Sequence, residues 1–208
     1  MQEAQYLFVY GSFTTGMIHN SAIEKYVVER ELAETTAYAS RMPVGYPTLT
    51  LEAPKYAKSA EPTPVVGELL RLEAPDVVWR VLDEFHGVSA LVPEKSLHFK
   101  KEVTVRVGDR EIQAAAYMMN PAKLPKGSEL IQSGDWKADM RERPAITAYL
   151  TEQHIAYMRK LGKTSGRQVI PYDLNLSREL MKMELIVDKG RRLALTKLGK
   201  EALRYLPE

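Results

Sequence analysis

The chain of 208 residues contains no cysteine. Without this residue there can be no disulfide, no thiol nucleophile and no thiolate metal site. The four histidines, His19, His86, His98 and His154, do not show the spacing of metal ligands. Ser12 stands in Gly11-Ser12-Phe13, which lacks the Gly-x-Ser-x-Gly elbow of serine hydrolases. We therefore expect neither a metal site nor a nucleophilic serine or cysteine.

Long hydrophobic runs are also missing. No apolar stretch approaches the length of about 18 residues that a membrane-spanning helix needs. The first residues lack the basic region and apolar run of a signal peptide. Hydrophobic content of 45% and charged content of 27% are those of a globular protein. These features predict a cytoplasmic protein without a membrane partner.

The charge is unevenly distributed along the chain. From residue 159 to the end there are twelve Lys and Arg against six Asp and Glu, a net charge of +6, whereas residues 1–158 carry seventeen against twenty-one, a net of −4. This difference indicates a C-terminal unit with its own surface character. A solvated basic face is the simpler interpretation, and a patch for nucleic acid or another polyanion is the alternative.

The first structural signal is an apolar run, Tyr6 to Tyr10, that has the length and composition of a buried strand. It stops at Gly11-Ser12, and Gly16 follows, so we expect a ligand-binding loop at the end of this strand. Ser21 and Glu24 have the spacing of a capping box, which predicts a helix over residues 22–33.

The following segments alternate between strand and helix patterns. Val65 to Leu72 is predicted to be a strand, with Gly67 marking a bulge or a close backbone approach. Apolar residues at helical spacing after Pro75 predict a helix that ends at Gly87. Residues 97–119 predict a hairpin that turns at Gly108-Asp109. The fold class is therefore α+β, with a small mixed, mostly antiparallel β-barrel over residues 1–138.

A C-terminal unit, residues 139–208, follows an irregular connector over residues 120–144. We expect helices over 146–161, 177–184 and 196–206, and a hairpin between the last two. The succession of a helix, a basic hairpin and a last helix is similar to the end of a winged-helix domain, in which Lys189, Arg191 and Arg192 would contact phosphates. The alternative is a helical extension that packs on the barrel or forms a homodimer.

Four motifs in order resemble the γ-glutamyl cyclotransferase-like superfamily. They are Tyr10-Gly11-Ser12-Phe13, Val65-Val66-Gly67-Glu68-Leu69, Leu82-Asp83-Glu84-Phe85-His86-Gly87 and Ala115-Ala116-Tyr117. The stretch Ser133-Gly134-Asp135-Trp136 is also similar to one that follows the barrel in bacterial members. The resemblance covers residues 5–137.

The resemblance implies a specific chemistry. Members hold a γ-glutamyl group in a barrel cavity through the Tyr-Gly-Ser loop, and a carboxylate serves as general acid and base while the α-amine attacks the γ-carbonyl and releases 5-oxoproline. No cofactor is needed. Carried over to this sequence, the ligand contacts are Tyr10, Gly11, Ser12 and Phe13, together with Tyr117 on the last strand.

At the catalytic position the sequence departs from the family pattern, because His86 stands where the Glu before the Gly is expected. One reading is that the cavity binds a ligand without the family reaction. A second is that His86 or Glu84 takes over as the base, although residues two apart on a helix do not share a face. A third is that Glu94 or Glu68 supplies the carboxylate.

The sequence thus predicts a protein that binds a γ-glutamyl or related small amine or acid ligand. Any 5-oxoproline formation depends on how residue 86 acts. The alternative is a ligand-sensing regulator with a barrel sensor and a basic C-terminal unit for DNA binding or dimerisation.

Overall fold

The structure is a computed structural model that describes residues 5–163, 173–190 and 192–206. The chain divides into two compact units, residues 1–143 and 144–208. The boundary expected after residue 138 falls inside a short helix of the first unit, Trp136–Glu142.

The first unit is built on a closed β-barrel. Its strands are β1 (Tyr6–Val9), β2 (Val27–Arg41), β3 (Pro47–Thr50), β4 (Thr63–Leu72), β5 (His98–Val107), β6 (Arg110–Met119) and β7 (Glu129–Leu130). The strand order is β3-β2-β4-β1-β6-β5, and β5 also pairs with β2, so that five strands close into a barrel. The β1–β6 pair is parallel and the other pairs in the described chain are antiparallel. The predicted α+β barrel is confirmed.

Alternation along the strands separates two hydrophobic cores. Phe8 and Leu69 point into the barrel, whereas Leu7, Val9 and Leu70 point outward. The outward face is covered by helix α1 (Pro75–Phe85), which begins with Pro75 in its first turn. This helix buries Val78, Trp79 and Leu82, and it places its C-terminal end beside the end of β1.

Gly67 is a close-approach position rather than a bulge. The β2–β4 register is regular around Gly67, and its only shift falls between Val27 and Glu29. A Cβ atom on Gly67 would lie 2.4 Å from the carbonyl oxygen of Val9 and 2.5 Å from the ring of Phe8. The absence of a side chain therefore lets β4 lie against β1.

The helix predicted over residues 22–33 is wrong. Short 3-10 turns occupy Asn20–Ala22 and Glu24–Tyr26, and β2 begins at Val27. The Asn20 amide donates to Glu24 at 2.8 Å, so Glu24 does not complete a capping box. Pairing with β4 along ten residue pairs outweighs the local helix signal because it satisfies the backbone of a strand at the centre of the sheet.

The connector is more ordered than the sequence predicts. It contains β7 and helix α2 (Trp136–Glu142), which Asp135 caps by accepting the Ala138 N–H at 2.9 Å. Trp136 is buried in the barrel core, and its indole Nε1–H donates to the Val66 carbonyl at 3.0 Å. Helix α2 is thereby fixed to β4.

The second unit contains three helices and a hairpin in its described part. They are α3 (Glu152–Lys163), α4 (Leu174–Lys182), β8 (Ile186–Asp188), β9 (Leu193–Leu195) and α5 (Lys197–Arg204). The expected helix over 146–161 is interrupted, because a 3-10 turn over Ile146–Tyr149 ends at Leu150 before α3 begins. The hairpin and the last helix are confirmed, and α4 lies two or three residues earlier than predicted.

No helix among the described residues combines the length and the apolar composition that crossing a bilayer requires.

We predict that Gly67→Ala lowers the free energy of unfolding of the first unit by about 3 kcal/mol, because the added methyl group meets a backbone oxygen that cannot rotate away. Urea unfolding followed by tryptophan fluorescence measures this unit, since both tryptophans, Trp79 and Trp136, belong to it.

The control is Gly108→Ala at the hairpin turn, where a Cβ meets nothing within 4 Å and only the positive φ of 56° opposes the substitution. It should cost about 1 kcal/mol. Equal losses in the two variants would contradict the close-approach role of Gly67.

Candidate functional site

The loop after β1 forms a tight turn that depends on glycine. Residues Gly11–Phe13 form a 3-10 turn, and Gly11 has a φ of 67°. A Cβ atom on Gly11 would lie 3.0 Å from the ring of Pro47. Inside the turn, the Thr14 hydroxyl donates to the Gly11 carbonyl at 2.8 Å, and the His19 N–H donates to the Ser12 carbonyl at 2.8 Å. Two hydrogen bonds, one from Thr14 and one from His19, therefore hold the turn.

A buried carboxylate attaches this loop to the barrel. Glu68 on β4 accepts the backbone N–H of Thr15 through both oxygens, at 3.1 and 3.0 Å, and also the Thr15 hydroxyl at 3.1 Å. Its charge is compensated by the Arg30 guanidinium, which donates directly to it, and by the Lys137 ammonium at 3.8 Å. Such a charge is stable when buried only because it is paired and hydrogen-bonded. Glu68 thus anchors the loop.

A small cavity opens where the loop, α1 and β6 converge. It is lined by Leu7, Phe8, Val9, Tyr10, Phe13, Leu82, His86 and Tyr117, and its volume is about 20 Å³. That volume accommodates about one water molecule. None of these eight lining residues is a carboxylate, and His86 is the one ordinary base among them.

His86 lies at the end of α1, where its N–H donates to the Leu82 carbonyl at 2.8 Å. Its ring is stacked on Tyr117, with 4.4 Å between the centroids and 12° between the planes. Phe13 of the loop lies 5.7 Å away and His98 lies 4.6 Å away in an edge-on orientation. The ring of residue 86 therefore belongs to the cavity wall and is held by aromatic neighbours.

His98, at the start of β5, supports this arrangement. Its Nδ1 lies 3.0 Å from the His86 carbonyl oxygen, and its Nε2 lies 3.5 Å from the Thr48 hydroxyl. A carbonyl only accepts hydrogen bonds, so Nδ1 must carry a proton. The sequence gives no signal for this role, since His98 lies outside the four motifs and is separated from His86 by a loop.

Tyr117 acts as a hydrogen-bond donor rather than as a base. Its hydroxyl donates to the Asp83 carboxylate at 2.6 Å, and the Lys100 ammonium lies 3.8 Å from the same carboxylate. Burial and the neighbouring carboxylate both raise the pKa of Tyr117 far above its ordinary value. The ring that stacks on His86 is therefore neutral and fixed at its outer end.

Tyr10 joins the end of β1 to β6 beside the cavity. Its hydroxyl donates to the Tyr117 carbonyl at 2.5 Å and accepts the Leu49 N–H at 3.4 Å. Burial raises the pKa of Tyr10 to about 12, so this hydroxyl stays protonated at neutral pH. Tyr10 both lines the cavity and ties β6 to the loop.

The structure brings together some of the residues that the sequence suggests and separates others. Tyr10, Phe13, His86 and Tyr117 line one cavity, and Gly11 and Ser12 are buried in the turn beside it. Glu84 and Glu94 are exposed and do not line the cavity. Glu68 is buried, but its oxygens are occupied by Thr15 and Arg30.

The basic candidates belong to the second unit. Lys189 and Arg192 are exposed at the β8–β9 hairpin, and Arg191 lies outside the described residues. Within residues 5–163, 173–190 and 192–206, no group of three or more His, Asp or Glu side chains is placed to hold a metal ion.

A family model described as gamma-glutamyl cyclotransferase, AIG2-like, matches residues 7–138. No curated protein matches the sequence significantly. Among solved structures, YkqA from Bacillus subtilis is 20% identical, with 67% of this chain matched to 42% of that chain at a TM-score of 0.48. This chain therefore spans about two fifths of YkqA.

Two other solved structures are similar to this chain. An AIG2-like protein from Mus musculus is 15% identical, and the match covers 62% of this chain and 87% of that one at a TM-score of 0.45. The uropathogenic E. coli protein c4763 is 14% identical, and the match covers 66% and 95% at a TM-score of 0.44.

We predict that Glu68→Gln lowers the free energy of unfolding by about 2 kcal/mol, since it removes the charge that Arg30 and the Thr15 N–H share. Hydrogen exchange of the amides over residues 11–16 should become faster in this variant.

The matched control is Glu29→Gln on β2. Glu29 pairs with Arg71 at 2.8 Å, but both side chains are exposed, so the loss should stay below about 1 kcal/mol. Unchanged exchange over residues 11–16 in Glu68→Gln would contradict the anchoring role.

Proposed function

The chain belongs to the gamma-glutamyl cyclotransferase, AIG2-like family, and we propose that its first unit binds a small ligand beside Tyr10–Phe13. The ligand is a γ-glutamyl compound or a related amine or acid, and the protein does not convert it efficiently to 5-oxoproline. The observation that carries the proposal is the position of His86. Its ring, and not a carboxylate, lines the cavity next to Phe13 and Tyr117.

The family reaction needs a base because an α-ammonium group is not a nucleophile until it loses a proton. A positioned general base contributes about 100- to 10,000-fold to such a step. The remaining requirements are folding the substrate into attack geometry and hydrogen bonds to the developing oxyanion. The turn Gly11–Phe13 is suited to these binding tasks, because the first N–H groups of a helical turn have no partner within the turn.

His86 is better suited to an acidic ligand than to an ammonium group. It follows the last turn of α1, where the helix dipole favours a cation. The stacked Tyr117 ring also favours a cationic partner on its face. An imidazolium in this place complements a carboxylate and has no free pair on nitrogen with which to take a proton.

Ligand entry requires side chains to move, because a cavity of about 20 Å³ holds one water and not a γ-glutamyl group. Phe13 is the lining residue carried by the loop, and its ring packs edge-on against Phe85 at 4.9 Å. We therefore assign the opening movement to Phe13 and His86, while Tyr10 and Tyr117 keep their hydrogen bonds.

Glu84 and Glu68 are less suited than His86 to serve as the general base. Glu84 is exposed, and Glu68 is engaged with the loop and with Arg30. If His86 is itself the base, the protein is an enzyme and loses its activity when the imidazole is removed. Enzyme and binder are thus distinguished by substitutions at residue 86.

The test combines a binding assay with an assay of 5-oxoproline release from γ-glutamyl dipeptides and γ-glutamyl amines. We expect calorimetry to detect binding by the wild-type protein, with turnover near the uncatalysed level. His86→Glu restores a carboxylate and should raise the release of 5-oxoproline by at least about 10-fold.

Glu84→Gln is the control, because this exposed residue on the same helix should change neither binding nor release. Wild-type turnover that disappears in His86→Gln would make His86 the catalytic base and overturn the binder assignment. Failure of every tested γ-glutamyl ligand to bind would overturn the proposal as a whole.

The alternative function is a ligand-sensing regulator, in which the second unit adds a reader of nucleic acid. The observation that favours it is specific: exposed cations on α4 and on the β8–β9 hairpin are not paired with carboxylates of the described chain.

A further inference from the structure

The second unit carries exposed cations on α4 and on the β8–β9 hairpin. In the first unit, several arginines pair with glutamates, as in Arg71–Glu29, Arg110–Glu31 and Arg143–Glu129. On α4 and the β8–β9 hairpin, four exposed cations have no carboxylate partner among the described residues; they are Arg178, Lys182, Lys189 and Arg192. The four cations therefore expose positive charge on α4 and the hairpin.

The acidic residues of the second unit are largely occupied by internal contacts. Asp173 accepts the N–H groups of residues 175 and 176 at the start of α4, and Asp188 accepts the Gly190 N–H at 2.7 Å. Glu179 binds His154 at 2.8 Å, and Glu201 pairs with Arg204 at 3.1 Å. These carboxylates bind backbone N–H groups, His154 or Arg204, and none of them forms an ion pair with the four cations.

Helix α4 presents a polar stripe of defined spacing. Asn175, Arg178 and Lys182 are exposed and follow one another at intervals of three and four residues, which places them on one face. Ser177 and Leu180 are buried on the opposite face. The helix of nine residues is about 13.5 Å long, and its N-terminus is fixed by Asp173.

The hairpin places the other cations close to this helix in sequence and in structure. Three residues join α4 to β8, and the Leu185 N–H donates to the Leu180 carbonyl at 2.9 Å. The tip is a closed turn, since the Lys189 N–H donates to the Arg192 carbonyl at 3.0 Å and Gly190 has a φ of 78°. The cations of the tip are therefore carried by a short hairpin whose base is hydrogen-bonded to α4.

We infer that the second unit binds duplex DNA, with α4 in the major groove and the hairpin tip on the adjacent phosphate backbone. The major groove is about 12 Å wide and admits one helix. Asn and Arg are the side chains that read adenine and guanine edges there, which fits the stripe of Asn175 and Arg178. Lys189 and Arg192 at the tip supply sequence-independent contacts to phosphates.

The net charges of the two units agree with DNA as the partner of the second unit. Residues 144–208 contain twelve Lys and Arg against seven Asp and Glu, a net charge of +5, whereas residues 1–143 contain seventeen against twenty, a net of −3. The attraction to DNA is thus confined to one unit, while the ligand site lies in the other.

The test is fluorescence anisotropy of a labelled 25-base-pair duplex with the full-length protein at several salt concentrations. Each phosphate contact contributes about −0.9 to the slope of log K against log salt, so contacts from Lys182, Lys189 and Arg192 predict a slope of roughly −2.5 to −3. Lys189→Gln/Arg192→Gln should weaken binding at least about 10-fold and make the slope shallower by about 2, whereas Arg178→Gln/Lys182→Gln should weaken binding as much but change the slope by about 1.

The matched control is Arg106→Gln/Arg110→Gln in the first unit, which removes the same charge from exposed residues and should change affinity by less than about 2-fold. Circular dichroism and thermal melting verify that every variant folds, and Arg178→Lys/Arg192→Lys should retain the salt slope because the charges remain.

Three results would overturn the inference. They are the absence of binding at low salt, an equal loss in the control variant, and affinity for double-stranded RNA or polyglutamate that equals or exceeds the affinity for DNA. Ligand binding in the first unit does not enter this experiment, so the two proposals stand or fall separately.

Discussion

The buried carboxylate of Glu68 is the interaction on which the site depends. It lies on β4, accepts the backbone and the hydroxyl of Thr15, and pairs with Arg30 of β2 and Lys137 of α2. One side chain therefore joins the loop, two barrel strands and the connector helix. Because a buried charge must keep its partners, the loop is anchored by a carboxylate that also pairs with Lys137 of α2.

A second set of contacts fixes the opposite wall of the cavity. Tyr117 is held at its hydroxyl by Asp83 and at its carbonyl by Tyr10, and its ring supports His86. His98 then holds the carbonyl of residue 86. Each of these groups is hydrogen-bonded to a different element, so the identity of residue 86 can change the chemistry of the wall while its framework remains.

Much of the fold could be predicted from the sequence, because β1, β4, α1 and the β5–β6 hairpin follow from local periodicity and turn residues. Residues 22–33 could not, since the spacing of Ser21 and Glu24 is a local signal, whereas β2 forms through pairing with residues of β4 that lie 26 to 45 positions away. The same difference between local and distant contacts applies to the candidate site. The motifs indicated Tyr10, Phe13, His86 and Tyr117, but the anchoring partners of Glu68 and the contact of His98 with residue 86 join distant segments that no motif connects.

In the proposed complex, a γ-glutamyl ligand occupies the cavity between the Tyr10–Phe13 loop and His86. The most direct test of this placement is NMR titration of ¹⁵N-labelled protein with a γ-glutamyl dipeptide, observing backbone amides and histidine ring nitrogens. Ligand in this cavity should cause saturable shifts at the amides of Gly11, Ser12 and Phe13 together with the ring nitrogens of His86. Shifts that leave these groups unchanged, or that appear only elsewhere in the chain, would contradict this placement.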